Sequence, residues 1–170
     1  MPHVQPSVVI EVRQFDPATD ADEVAQAIVD SSIWHVSLEP ERYRVLDAAE
    51  VATEYRHGRQ HRPAARPDEF ATLVAELDGR LVGVADLRVV YPGGAHQGLR
   101  YGEIAELAVA AHARGRGVGS ALVAAAERWA RERGCTYTVL DYNARNVDAR
   151  RFYRERLGYR PAGEIVLKKL

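Results

Sequence analysis

Two groups of residues in this chain are placed to do chemistry. The first is a turn of backbone. Residues 107–122 read L-A-V-A-A-H-A-R-G-R-G-V-G-S-A-L. An apolar, strand-like run ends at Val109, an Arg/Gly-rich turn follows from Arg114 to Gly119, and a helical pattern then begins. The first amides of a helix lack intrahelical acceptors and lie at the positive end of its dipole. Glycines let a phosphate approach such amides closely, and Arg114 and Arg116 can add formal charge. The second group is carboxylate. Glu103 and Glu106 sit in a mostly apolar strand pattern, where an ionised group costs desolvation unless it faces a cleft or has a partner. Such a cleft raises a carboxylate's pKa and makes it a usable base, directly or through water. A regular strand sends the two to opposite faces, so at most one enters a given cleft; a β-bulge relaxes that constraint. The alternative for each is a salt-bridged or rim carboxylate.

The turn is not a Walker loop, because Ser120 follows Gly119 with no Lys between. It is not the dinucleotide fingerprint either, since Gly115, Gly117 and Gly119 alternate and no glycine completes G-x-G-x-x-G. What fits is L-x-V-x(4)-R-x-x-G-x-G-x-x-L, from Leu107 through Arg114, Gly117 and Gly119 to Leu122. A second block, N-x-x-A-x-x-F-Y-x-x-x-L-G-Y, comprises Asn146, Ala149, Phe152, Tyr153, Leu157, Gly158 and Tyr159. In this order the two blocks closely resemble the signatures of the GNAT superfamily of acetyl-CoA-dependent N-acetyltransferases. The resemblance is sharp over residues 103–161 and one of element order over residues 8–90. Ala111 stands where the family often has Pro, and Tyr159 where Phe is commoner. Neither change removes a group that a phosphate or thioester needs.

The resemblance implies direct acetyl transfer from acetyl-CoA to a primary amine. It implies a pyrophosphate held by Arg114, Gly115, Arg116, Gly117, Val118, Gly119 and Ser120, and a pantetheine arm paired with backbone at Leu107, Ala108 and Val109. A backbone N–H beside Val109 is then the oxyanion donor. Tyr153 matches the family's phenol facing the cofactor sulfur, as acid for the leaving thiolate. Glu103 and Glu106 both lie near the family's acidic positions, with Glu103 slightly better in register. Asn146 is expected to cap a helix, bind the cofactor arm, or both. The acceptor, a small-molecule or peptide amine, would meet Trp34, His35, Glu39, Tyr43, Tyr91 and His96. An acyl-CoA-binding regulatory or sensor module without transfer activity is the rival from another class.

The elements that must position these groups are legible in outline. Residues 8–15 form a β-branched strand. Asp20 is expected to cap a helix, with Glu23 at the capping-box position and Val24, Ala27 and Ile28 on one face. Pro40 opens a second helix over residues 41–56. Residues 57–68 read as an exposed loop. His57 and His61, four apart, are expected to be solvated rather than a metal pair, and no metal is expected. Asp78-Gly79 between residues 70–77 and 80–90 signals a hairpin, because a type I′ turn needs positive φ. Strands follow at 103–109, 137–142 and 165–170. Helices are expected from Val118 to near Gly134 and from Asn146 to Arg156. Trp129 belongs to the first helix's packing stripe with Leu122, Ala125 and Ala126. The whole is an α/β fold: one mixed, mostly antiparallel sheet flanked by helices. The resemblance adds two splayed strands that form the acyl-CoA cleft.

The 170 residues are expected to make one domain, with 1–7 a flexible N-terminus. At 46% hydrophobic and 28% charged residues the composition is that of a soluble globular protein. A net charge of −1 leaves no global field for nucleic acid or anionic membrane, and neither is expected as a partner. There is no transmembrane run and no signal-peptide pattern, and the lone Cys135 cannot form an internal disulfide; a cytoplasmic location follows as the expectation. A strand edge near Ile165 suits a homodimer.

Overall fold

The structure is a computed structural model that describes residues 9–58, 66–96 and 98–168. Its strands are β1 (Ile10–Gln14), β2 (Phe70–Leu77), β3 (Arg80–Val90), β4 (Tyr101–Val109) and β5 (Tyr137–Val139). Its helices are α1 (Ala21–Leu38), α2 (Ala48–Arg56), α3 (Val118–Glu132) and α4 (Val147–Arg150), the last continued by a wider π-helical stretch, Arg151–Arg156. The strands make one sheet in the order β1-β2-β3-β4-β5, antiparallel from β1 to β4 and parallel between β4 and β5. The expected hairpin is there: Asp78 and Gly79 take φ of 53° and 79°.

Helices cover both faces of the sheet. α3 packs its stripe of Val118, Leu122, Val123, Ala126 and Trp129 under β3 and β4. Two glycines bring it close. A Cβ on Gly83 would stand 3.1 Å from both Leu122 and Val118, and one on Gly102 would overlap the Ala130 side chain. The Gly102→Ala variant is therefore expected to lose about 1–3 kcal/mol in urea-induced unfolding, through overpacking rather than backbone strain. An unchanged midpoint would show that α3 can move away freely. The other face takes α1 and α2, whose Val24, Ala27, Ile28, Val51, Ala52 and Tyr55 are buried. No helix among the described residues is long and apolar enough to cross a membrane.

Several local expectations are corrected. Asp20 does not cap α1 with its side chain. Its carboxylate instead accepts two bonds from Arg13 at 2.6 and 3.0 Å and one from the Asp16 amide at 2.8 Å. The Arg13 guanidinium holds its pKa below the usual carboxylate range. Residues 41–47 are not helical; α2 starts only after Asp47, which caps it by accepting from Ala49 and Glu50 at 2.9 and 3.0 Å. β5 stops at Val139, short of Tyr142. Residues 165–168 form no strand, leaving Ile165, Val166 and Leu167 exposed, with Lys169 and Leu170 outside the described residues. The expectations for residues 1–7 and for His61 also lie outside them. His57 Nδ1 donates to the Thr53 carbonyl, 2.9 Å away.

Candidate active site

The early end of β5 opens the sheet. β4 and β5 pair only at Tyr101↔Tyr137, Gly102↔Thr138 and Glu103↔Val139. From Ile104 to Val109, β4 continues with β3 on one flank and no paired strand on the other. That free backbone edge is a place where an extended amide-bearing chain can add like a strand. The loop from Ala110 to Gly117 closes one end of the gap, anchored where the Ala110 amide donates to the Val82 carbonyl at 2.8 Å.

The loop delivers the head of α3. Gly115 and Gly117 have φ of 75° and 92°, and Gly117 is the N-cap residue with no side chain capping the helix. The helical ladder begins with Ala121 donating to the Gly117 carbonyl at 3.0 Å. The amides of Val118, Gly119 and Ser120 therefore have no intrahelical acceptor. Val118 buries its side chain in the core, so it offers the site only backbone. The arginines are engaged elsewhere. Arg114 folds back, donating to the Val109 carbonyl at 3.0 Å and the Asp30 carbonyl at 3.2 Å, so it braces the loop against α1. Arg116 lies 3.4 Å from Asp78 in an exposed pair that is easily exchanged for another anion.

A bulge decides how the two glutamates point. Glu103 pairs with Arg88 across the β3–β4 ladder and Glu106 with Asp86, with a register shift between Asp86 and Leu87. The extra residue is Ala105. Asp86 and Arg88 are two apart on β3 and share a face, so Glu103 and Glu106 share it too. Opposite faces are what an unbroken strand would have produced. Glu103 is bound by the Arg88 guanidinium, an ion pair that raises the Arg88 pKa and occupies the carboxylate.

Tyr153 lies across the gap on the π-helical stretch and is buried, at 8% exposure. Its ring stacks on Tyr142 at 5.8 Å and meets Phe152 and Tyr159 edge-on at 4.9 and 5.9 Å. Burial pushes its phenol well above the ordinary range, and Tyr159, Glu106 and Asp141 add to that push. Glu106 thus lies close enough to Tyr153 to act on its titration. Phe152 packs against the head of α3, its ring 3.3 Å from where a Cβ on Gly119 would stand. Asn146 caps α4 by accepting from the Ala149 amide at 2.9 Å.

Of the expected acceptor residues, three converge. His35 stacks on Tyr43 at 5.0 Å, and Glu39 accepts from the Asn143 amide group, which also reaches Tyr43 Oη at 3.4 Å. Burial lowers the His35 pKa, and nearby Arg114 lowers it further. Trp34 is 39% exposed on the same helix. Tyr91 and His96 lie apart from this group. Tyr91 donates to Glu69 at 2.5 Å, and His96 sits 3.1 Å from Tyr101 Oη.

The sequence model of the Acetyltransferase (GNAT) family matches residues 32–159. The chain belongs to that family. An uncharacterized N-acetyltransferase from Methanocaldococcus jannaschii is 42% identical over 88 residues, 51% of each chain. The aminoalkylphosphonate N-acetyltransferase of Salmonella typhimurium is 40% identical over 87 residues, 51% of this chain and 54% of its own. The match spans about half the length of these curated relatives. Among solved structures, the aminoglycoside N-acetyltransferase AAC(6')-Iy in complex with CoA aligns over 98% of both chains with a TM-score of 0.66 at 20% identity. A mutant of the BH1408 protein from Bacillus halodurans aligns over 94% of this chain and 99% of its own, with a TM-score of 0.75 at 19% identity. These similarities show the GNAT fold: an α/β domain with a five-stranded mixed sheet flanked by helices.

Behind the GNAT signature residues lie groups that the sequence reading passed over. Asp86, opposite Glu106, accepts from Thr72 Oγ1 at 2.6 Å and from Tyr55 Oη at 2.8 Å. Its signal was available: Asp86 is an acid inside an apolar strand, as Glu103 and Glu106 are. Arg88, Asp30 and the Glu39–Asn143 contact give no signal in spacing, because each joins elements far apart in the chain.

Proposed function

We propose that the protein transfers the acetyl group of acetyl-CoA to a primary amine by direct attack. The observation that carries this reading is the parting of β4 from β5 after Glu103, with the uncapped head of α3 at one end and Glu106 and Tyr153 on its flanks. The residues suit coenzyme A. The amides of Val118, Gly119 and Ser120 are available to a pyrophosphate, and a Cβ on Gly115 would meet open space. Arg116 can leave Asp78 to add charge there. The free edge of β4 at Leu107, Ala108 and Val109 suits the amide-bearing pantetheine arm. The fold-level likeness to an aminoglycoside N-acetyltransferase solved with CoA supports the same placement.

Glu106 takes a proton from the ammonium, directly or through water, leaving a neutral amine. The nitrogen lone pair forms the new N–C bond at the thioester carbon while an amide at Val109 donates to the carbonyl oxygen as it gains charge. As the C–S bond breaks, the Tyr153 hydroxyl gives its proton to the departing sulfur, and the nitrogen gives up its second proton to the phenolate left behind, directly or through water. Glu106 borders the gap beside Tyr153, which favours it as base, while Glu103 pairs with Arg88. Small-molecule and peptide amines both fit an acceptor mouth made by Glu39, His35, Tyr43 and Trp34, with Glu39 drawing the cationic form.

The test is thiol release from acetyl-CoA across a panel of amines, alongside calorimetry with coenzyme A. Expected are measurable affinity and thiol release with at least one amine. Tight binding with no thiol released by any amine would mark an acyl-CoA-binding module instead, and no binding would end the proposal.

A further inference from the structure

Among the described residues the Tyr153 hydroxyl enters no hydrogen bond, so the contacts of its ring and backbone aim it. Tyr159 makes both kinds of contact. Its ring meets the Tyr153 ring edge-on at 5.9 Å, and its amide donates to the Tyr153 carbonyl at 2.9 Å. The far end of Tyr159 is fixed in turn. Its hydroxyl donates to Glu127 Oε1 at 3.1 Å and lies 3.0 Å from Thr138 Oγ1. A phenol has one proton to offer, so with Glu127 as its acceptor the Thr138 hydroxyl is the donor in the second bond. Glu127 is itself held, because its other oxygen accepts from Arg131 at 3.2 Å. Of the three rings against Tyr153, that of Tyr159 is the one hydrogen-bonded at its far end among the described residues.

The two anchors belong to the walls of the site. Thr138 pairs with Gly102, one step before the last β4–β5 pair at Glu103 and Val139, so it stands where the sheet parts. Glu127 lies on α3, whose head is the proposed grip on the pyrophosphate. Resting on the reading of Tyr153 as acid, we propose that Tyr159 is a positioning residue: its hydroxyl ties the Tyr153 ring to β5 and α3, and so holds the acid in register with the sulfur of a thioester anchored at the head of α3. A phenylalanine at 159 would keep the ring contact and the amide bond, so the hydroxyl adds only the two ties. Their use lies in geometry, since a reacting group misplaced by about 1 Å can cost about a hundredfold in rate.

The experiment is single-turnover thiol release with saturating acetyl-CoA and the amine that gives the fastest release, in Tyr159→Phe, Tyr153→Phe and the double variant. Tyr159→Phe should slow release about tenfold and leave the affinity for coenzyme A unchanged in calorimetry. In the Tyr153→Phe background the same substitution should change the rate by less than about twofold, because the hydroxyl it positions is gone. Thr138→Val removes the donor to Tyr159 at nearly constant shape. It should act in the same direction, and it serves as the test if Tyr159→Phe does not fold. A purely structural role would slow release by the same factor with or without the Tyr153 hydroxyl, and that result overturns the proposal, as does an unchanged rate in Tyr159→Phe. Full release in Tyr153→Phe is a separate failure: it defeats the acid reading on which this inference rests.

Discussion

Replacing Tyr153 by phenylalanine should cut turnover by about a hundredfold, the lower range for a general acid, and leave the affinity for coenzyme A unchanged. The substitution keeps the ring, and with it the contacts to Tyr142, Phe152 and Tyr159. It removes only a hydroxyl. Burial keeps the phenol protonated at neutral pH, so a proton is present when the sulfur leaves, although the same shift makes it a weaker acid than an ordinary tyrosine. No alkaline limb from Tyr153 should therefore appear below about pH 10, its ordinary pKa. The linkage to stability has the same sign. A phenol whose folded pKa is raised leaves stability intact below its unfolded pKa of about 10 and lowers it as pH climbs further. Tyr159, pushed up to about 12 by burial first and then by Glu127, adds to that alkaline loss. Single-turnover thiol release with saturating acetyl-CoA is the measurement for Tyr153→Phe, with a melt at pH 7 as control. Full turnover in a well-folded variant would mean that the sulfur leaves without this proton.

The hairpin was legible because Asp78-Gly79 is a local signal: positive φ at two adjacent positions is needed, and the residue types say so. The loop and α3 were legible for the same reason, with glycines at the positive-φ positions 115 and 117. Asp20 and the helix after Pro40 show how such rules fail. An acid before a helix satisfies the capping rule, yet Arg13 of β1 claims the Asp20 carboxylate, a tertiary partner that no window around residue 20 contains. Pro40 suits a helix start, yet Asp47 caps better and α2 begins there.

The site divides along the same line. Its backbone parts lie within one or two motifs and could be found. The facing of Glu103 and Glu106 could not, because it turns on a bulge at Ala105, an alanine in a strand of ordinary composition. Two acids three apart look incompatible with a shared cleft until one residue is added to the ladder. Arg114 is a related case. Its charge suits a phosphate, and in the structure two carbonyls, of Val109 and Asp30, hold the guanidinium across the loop. A backbone acceptor has no signature in sequence, so the use of a long cationic side chain near one is settled only by the fold.

The loop offers the second large effect. Gly117→Ala should weaken coenzyme A binding about 5–30-fold in calorimetry, the equivalent of about 1–2 kcal/mol for an L-residue forced into the left-handed region. Space is not the obstacle, since a Cβ there meets only Ile10 Cδ1 at 3.4 Å. The obstacle is φ of 92° at the cap of α3, which an alanine relieves by rotating the loop. That rotation turns the following amides away from a bound phosphate. Gly79→Ala supplies the comparison. Gly79 has φ of 79° and open surroundings, but it sits in the β2–β3 hairpin rather than at the helix head. Both variants should lose similar stability, and only the one at residue 117 should lose affinity. Equal affinity in the two would show that coenzyme A is gripped somewhere other than the first turn of α3, and every role assigned along the gap would have to be reassigned from that new anchor.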